Sequence, residues 1–176
     1  MGDQTRFIAD AMLGTLARKL RIFGYDTLYF REGPDAELER IAAAESRVIL
    51  TSDRVLLEHS SRRGLRAFTI SGKSERARLE SLIAQAGAAS MTLTPGAPRC
   101  ALCNGLLVRL DLSQVKGSLP DSITSRHRLY YRCEACRKFY WRGGHWTRMR
   151  RFSSLMRQQV PPGRHLDHLH PSAPGS

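Results

Sequence analysis

The chain has 176 residues, 41% of them hydrophobic, four cysteines and a formal net charge of +12. That length supports either one full core or a modest core plus a small module that needs outside help to fold. No stretch approaches the ~18 to 20 consecutive apolar residues that a bilayer-crossing helix needs, which argues against a membrane protein.

The charge is unevenly spread. Residues 1–95 carry 14 Lys and Arg against 12 Asp and Glu, and residues 96–176 carry 14 against 4. The C-terminal part therefore calls for a polyanionic partner, with nucleic acid ahead of a membrane surface because no basic amphipathic helix with a strong apolar face stands out. Met1 to Arg6 leads straight into a short apolar run, so no secretory leader is expected. A cytoplasmic location is expected, and there thiols stay reduced.

Phe7-Ile8-Ala9 reads as a short strand ending in Asp10, followed by a helix with Leu13, Leu16, Ala17 and Leu20 on one face and Arg18, Lys19 and Arg21 between them. Gly24 stops that helix, and Tyr25 to Phe30 reads as a second strand broken by Gly33-Pro34. Asp35 is an expected N-cap for a helix that buries Leu38, Ile41 and Ala42, with Glu37, Glu39, Arg40 and Glu45 largely on the opposite face. Val48-Ile49-Leu50 is a continuous apolar run of the kind buried on both faces of a parallel sheet, and Ser52-Asp53 ends it. A short helix, a strand over Arg66 to Ile70 and a helix over Ser74 to Ala86 complete the alternation.

Alternating β and α units with short links predict an α/β fold: a parallel sheet flanked by helices and joined by right-handed crossovers. We place this domain at residues 1–93. Thr94-Pro95-Gly96-Ala97-Pro98 has linker composition, and a second module over 97–150 follows it. Residues 160–176, rich in Pro, Gly and His with little apolar content, are expected to be a disordered tail.

The second module is defined by Cys100, Cys103, Cys133 and Cys136. Two C-x-x-C pairs match a four-cysteine ribbon, in which each pair sits on a tight turn and four thiolates close a tetrahedron around one Zn2+. All four positions being sulfur, the ion is structural. Asn104-Gly105 supplies a residue suited to positive φ after the first pair, whereas Arg137-Lys138 supplies no glycine after the second.

In an open parallel sheet, ligands gather where strands end. Asp10 follows the first strand, Asp35 opens the helix after the second, and Asp53 follows the third. Three such carboxylates repel one another unless a hard cation, Mg2+ or Mn2+, lies between them, and such ions support in-line phosphodiester displacement. Glu37 is a further candidate ligand and Glu75 a weaker one. Asp26 lies at the start of its strand, at the opposite edge, and is set aside. Lys19 and Arg54 are candidate phosphate contacts. Any one of these acids alone is more often a helix cap than a ligand; the coincidence of three carries the argument.

These residues resemble the Mut-seven C-terminal RNase-domain family. The likeness rests on Phe7-Ile8-Ala9-Asp10-Ala11-Met12-Leu13-Gly14 with Leu16-Ala17-Arg18, on Leu20-Arg21-Ile22-Phe23-Gly24-Tyr25-Asp26-Thr27, and on Ile49-Leu50-Thr51-Ser52-Asp53-Arg54. It extends to the C-x-x-C pairs and to Tyr140-Trp141-Arg142-Gly143-Gly144-His145-Trp146-Thr147-Arg148-Met149. The resemblance implies a PIN-like nuclease fold with a C-terminal zinc ribbon and a metal-dependent ribonuclease activity. Asp10 and Asp53 carry over as metal-binding acids and the four cysteines as zinc ligands, with Asp35 matching less closely. PIN-like sites usually have a fourth acid after the fourth strand; here Ser71-Gly72-Lys73-Ser74 stands there, with Glu75 nearby.

Around the second cysteine pair, Tyr130, Tyr131, Phe139, Tyr140, Trp141 and Trp146 interleave with Arg128, Arg132, Arg137, Lys138, Arg142, Arg148, Arg150 and Arg151. Aromatic faces stack on unpaired bases and guanidinium groups hold phosphates. A ribbon has little apolar core of its own, however, so we read Trp141 and Trp146 as structural and the arginines as the RNA contact. His145 is a candidate phosphate ligand or general acid, with a packed histidine as the alternative.

The leading reading is a metal-dependent ribonuclease acting on RNA, with ribosome or tRNA as candidate targets. The alternative is a non-catalytic RNA- or ribosome-binding factor that keeps the nuclease fold. A phosphatase or receiver-like protein built on Asp10 lacks the second aspartate two residues later, where Met12 stands.

Overall fold

A computed structural model describes residues 4–141. Its first part alternates strictly: β1 (Arg6–Ala9), a 3-10 turn (Ala11–Leu13), α1 (Gly14–Ile22), β2 (Asp26–Tyr29), α2 (Asp35–Ala44), β3 (Val48–Thr51), α3 (Arg54–Arg62), β4 (Ala67–Thr69) and α4 (Glu75–Ala88). The four strands form one parallel sheet in the order β2-β1-β3-β4.

This order follows from handedness. Right-handed crossovers send α1 to one face as the chain steps outward from β1 to β2. They send α2 and α3 to the other face as it returns past β1 to β3 and β4. The burial pattern agrees. Phe7, Ala9, Val48, Leu50 and Phe68 pack with Leu16, Leu20, Leu79 and Leu82 on the α1 and α4 face, whereas Ile8 and Ile49 pack with Leu38, Ala42 and Leu56 on the α2 and α3 face. Alternate strand residues supply opposite cores, which is why Val48-Ile49-Leu50 is apolar without interruption. Strand order reverses between β1 and β3, so a crevice opens at their carboxyl ends.

Segment 94–98, read as a linker, is fastened to the sheet domain. The Thr5 N–H donates to Thr94 O at 3.0 Å, and Thr94 returns its own N–H to Thr5 Oγ1 at 2.9 Å. The Gly96 N–H donates to Gly24 O at 2.9 Å. Gly24, at φ +92°, both ends α1 and admits this strap, because a Cβ there would lie 2.1 Å from Gly96 O.

Beyond the strap, β5 (Leu107–Leu110), β6 (Tyr130–Cys133) and β7 (Phe139–Trp141) form an antiparallel sheet in that order. The connection between β5 and β6 holds two four-residue helices, α5 (Leu112–Val115) and α6 (Asp121–Thr124). The buried apolar cluster of this module is Leu110, Val115 and Tyr130, a core too small to hold the fold without a further fastener.

Two helix readings are corrected. Pro34, not Asp35, occupies the N-cap position of α2; Asp35 is the first helical residue and makes no cap hydrogen bond. Glu39, expected on the solvent face, is 0% exposed, because α3 lies against that flank and covers it with His59, Ser60 and Arg63. No helix among the described residues is long and apolar enough to cross a membrane. The readings on Arg142, His145, Trp146, Arg148 and the 160–176 tail lie outside the described residues.

Candidate active site and metal centre

The two cysteine pairs meet as their spacing predicts. All four Sγ atoms lie within 4.8 Å of one another, with Cys100 to Cys136 at 3.5 Å and Cys103 to Cys133 at 3.4 Å. Zn–S bonds of about 2.3 Å in a tetrahedron set sulfurs about 3.8 Å apart, so the cluster fits that ion. Asn104 and Arg137, each directly after a pair, take matching left-handed conformations at φ 67° and 63°. The second turn thus adopts the geometry without the glycine that would ease it.

The thiols need a cation to ionise together. Burial raises the Cys100 thiol, but the Tyr140 hydroxyl at 3.0 Å and the N–H groups of Cys103 and Leu102 outweigh it and bring it down to about 6. Burial pushes the Cys103 thiol up to about 12. Four clustered sulfurs, those of Cys100 and Cys133 on buried residues and those of Cys103 and Cys136 on exposed ones, sharing negative charge are an arrangement that a divalent ion relieves.

The metal turn is joined to the first sheet. The Asn104 amide donates to Asp26 Oδ1 at 2.7 Å, and its Oδ1 accepts the Thr27 N–H at 3.1 Å. Arg21 reaches across from α1 and donates to the carbonyls of Ala101 and Leu102, both at 2.9 Å, inside the first C-x-x-C turn. Asp26 also pairs with Arg47 at 2.8 Å and Arg99 at 3.2 Å. Setting Asp26 aside as a catalytic acid agrees with these partners, although the network itself was invisible in the sequence because its members lie up to 78 residues apart.

At the opposite edge, Asp10 and Asp53 end the two central strands. Asp10 Oδ1 accepts the Met12 N–H at 2.9 Å, and Oδ2 accepts the Thr51 hydroxyl and, at 3.2 Å, the Ser52 N–H. Asp53 caps α3, with Oδ1 accepting from Val55 N at 2.7 Å and Leu56 N at 3.4 Å. Thr51 bridges the two, since its Oγ1 donates to Asp10 and accepts the Asp53 N–H at 2.9 Å. Sequence reasoning missed Thr51; its signal is a hydroxyl at the last residue of a buried strand, next to an acid.

The remaining acids are more dispersed. Asp35 and Glu37 are exposed in the first turn of α2, where Glu37 pairs with Arg40 at 3.5 Å. Glu75 opens α4 and pairs with Lys19, while Arg54 is exposed beside Asp53. Among the described residues the four cysteines are gathered as a metal-ligand cluster, whereas Asp10, Asp35 and Asp53 are not.

The aromatic residues of the ribbon divide. Tyr130 is fully buried, Phe139 packs on the small core, and Tyr140 bonds Cys100. Trp141, read as structural, is partly so: it lies opposite Tyr130 on β7 and near the His127 ring, with a substantial part exposed at the sheet edge.

A family model described as the Mut7-C RNAse domain matches residues 5–153. No curated protein and no solved structure gives a significant match.

Proposed function

Because the chain belongs to the Mut7-C RNAse domain family, we propose that it is a metal-dependent ribonuclease whose acids are Asp10 and Asp53, with Asp35 and Glu37 from the adjoining helix. Family membership makes the function nuclease-like and RNA-related; the residue roles and the metal dependence are this reading's own. The observation that carries it is the pairing of Asp10 with Asp53 at the carboxyl ends of adjacent central strands, at the reversal of strand order.

The donor set fits a hard cation. Asp10 is 8% exposed and uses three of about four lone-pair positions on protein donors, while both hydrogen bonds to Asp53 fall on Oδ1. One oxygen of each carboxylate thus retains capacity for Mg2+ or Mn2+. Such an ion supplies a polarised phosphate and a water acidified for attack. The chain's part is to hold the two carboxylates rigidly through Thr51, to neutralise phosphate charge with Arg54 and Lys19, and to dock RNA on the basic ribbon, where Arg142, Arg148 and His145 belong by sequence. The zinc site keeps that ribbon folded.

A second reading, a non-catalytic RNA- or ribosome-binding factor, is favoured by the dispersion of the acids, which gives no three-carboxylate cluster among the described residues. One experiment separates them. Asn caps a helix about as well as Asp, so Asp53→Asn removes charge and keeps α3. Defined RNA and DNA strands are incubated with Mg2+ or Mn2+, with and without chelator. The proposal expects metal-dependent RNA cleavage that Asp53→Asn abolishes; salt-sensitive RNA binding without cleavage selects the binding factor.

A further inference from the structure

Two large apolar side chains stand in water beside the acidic pair. Met12 is 66% exposed and Val55 74%, the two most exposed among the large hydrophobic residues described. Each lies two residues after an aspartate and is held there by it: Met12 N–H donates to Asp10 Oδ1, Val55 N–H to Asp53 Oδ1. The 3-10 turn that carries Met12 and the first turn of α3 that carries Val55 follow neighbouring strands, paired Ala9 to Leu50, about 4.8 Å apart. Scattered exposed apolar residues are ordinary. These two are not scattered along the chain: each follows one acid of the pair at the same two-residue offset, with its backbone N–H held by that acid's carboxylate.

We infer that Met12 and Val55 form an apolar clamp for one unpaired base of the RNA, next to the phosphate at the acidic pair; this rests on the ribonuclease reading of that site. The occupant follows from chemistry. A rim that combines apolar side chains with exposed Arg54 and with carboxylates suited to a divalent ion matches a ligand that is apolar on one surface and anionic on another. A nucleotide has both, in its base face and its phosphate. In a duplex the base faces are stacked on one another and closed to side chains, so the clamp selects single-stranded segments, loops or ends. It reads no hydrogen-bonding edge, and therefore discriminates paired from unpaired RNA rather than one sequence from another.

The test uses the full chain carrying Asp53→Asn, so that binding is read without cleavage. A short labelled RNA strand is titrated in its intact form, with each base in turn replaced by an abasic nucleotide, and as a duplex of the same sequence. The inference expects one position at which base removal weakens binding about tenfold. Met12→Ser with Val55→Ser should weaken the intact strand by a similar factor and abolish the sensitivity at that position, leaving duplex binding unchanged. Met12→Leu with Val55→Ile should bind as the parent does. Both positions are exposed, so unchanged thermal melting of every variant serves as the folding control.

The inference is overturned if the serine variant binds the intact strand as tightly as the parent, if it loses strand and duplex binding equally, or if its effect is on self-association measured by sedimentation. Cleavage is measured separately with Asp53 intact. Base-dependent binding without cleavage supports the clamp and removes the nuclease reading alone.

Discussion

Asn104 joins the metal turn to Asp26 at 2.7 Å, across 78 residues of sequence. Asp26 is the first residue of β2 and also binds Arg47, whose side chain is 6% exposed, and Arg99. Three elements that approach one another only in the folded chain thus meet at a single carboxylate, and stabilities on both sides of the seam are coupled through it.

The pH dependence of stability should carry the signature of that carboxylate. Burial raises the Asp26 carboxyl, but hydrogen bonds from Arg47 and Asn104 and the charges of Arg47 and Arg99 outweigh it and hold it below the usual range. With the folded value below the unfolded one of about 3.9, the contribution is fully present above that pH and is lost as pH falls through the folded value. Asp26→Asn should cost about 1 to 3 kcal/mol in urea unfolding at pH 7, since it removes the charge that Arg99 pairs with and leaves Arg47 with Glu45 alone, at 2.8 Å. The gap to the parent should narrow as pH falls below 4; a gap of constant size would dismiss the seam as a source of stability.

Zinc removal should be felt beyond the ribbon. The Thr27 N–H, on the outer edge of β2, is bonded to Asn104 Oδ1, so chelation should deprotect it together with the ribbon amides. The Ile49 N–H, bonded to Arg66 O at 2.9 Å in the middle of the sheet, should stay slow. Residue-resolved hydrogen exchange measures both, and a Thr27 amide still protected after verified zinc loss would show that the two modules open independently.

What was legible in the sequence is what short-range pattern encodes. Strand runs, apolar helix faces and cysteine spacing each lie within one element or one motif, and these reappear in the fold, whereas the solvent face read for α2 does not. Glu39 shows where this ends. On α2 alone it has the periodicity of a solvated residue, and only the approach of α3 turns it into a buried carboxylate bonded to His59 at 2.8 Å, Ser60 at 2.7 Å and Arg63 at 2.7 Å. Its hydrogen bonds hold its carboxyl below the ordinary range although burial pushes the other way. Arg137 is a second case: a glycine was the natural expectation, but ligation by flanking cysteines can hold a non-glycine residue at φ 63° at a cost of about 1 to 2 kcal/mol. The acidic edge is legible only in part, since the strand ends locate Asp10 and Asp53 while their link depends on Thr51.

Thr51→Val keeps the shape of that link and removes its hydroxyl. The Asp53 N–H loses its acceptor and Asp10 loses a donor, at a cost of about 1 to 3 kcal/mol. Urea unfolding should register this loss, and the cleavage assay should show a lower kcat with little change in KM, because RNA docking does not involve Thr51. Thr51→Ser, which restores the hydroxyl, should recover both. A valine variant as stable and active as the parent would mean that the two aspartates are positioned without the bridge.

Gly105 offers the sharpest probe of the metal turn. Its φ is not in the left-handed region, so the demand for glycine comes from space: a Cβ would lie 3.0 Å from Cys133 Sγ and 3.1 Å from Ala135 Cβ. A methyl group there must push a ligand sulfur whose position zinc tolerates only within about 0.2 Å. Gly105→Ala should therefore release zinc to a chromophoric chelator about tenfold faster or more, by the weight that residues behind metal ligands usually carry. Adding Ala135→Gly removes one of these close contacts and should recover part of the loss. Release at the parent's rate would show that the second cysteine turn shifts freely to make room for the methyl group.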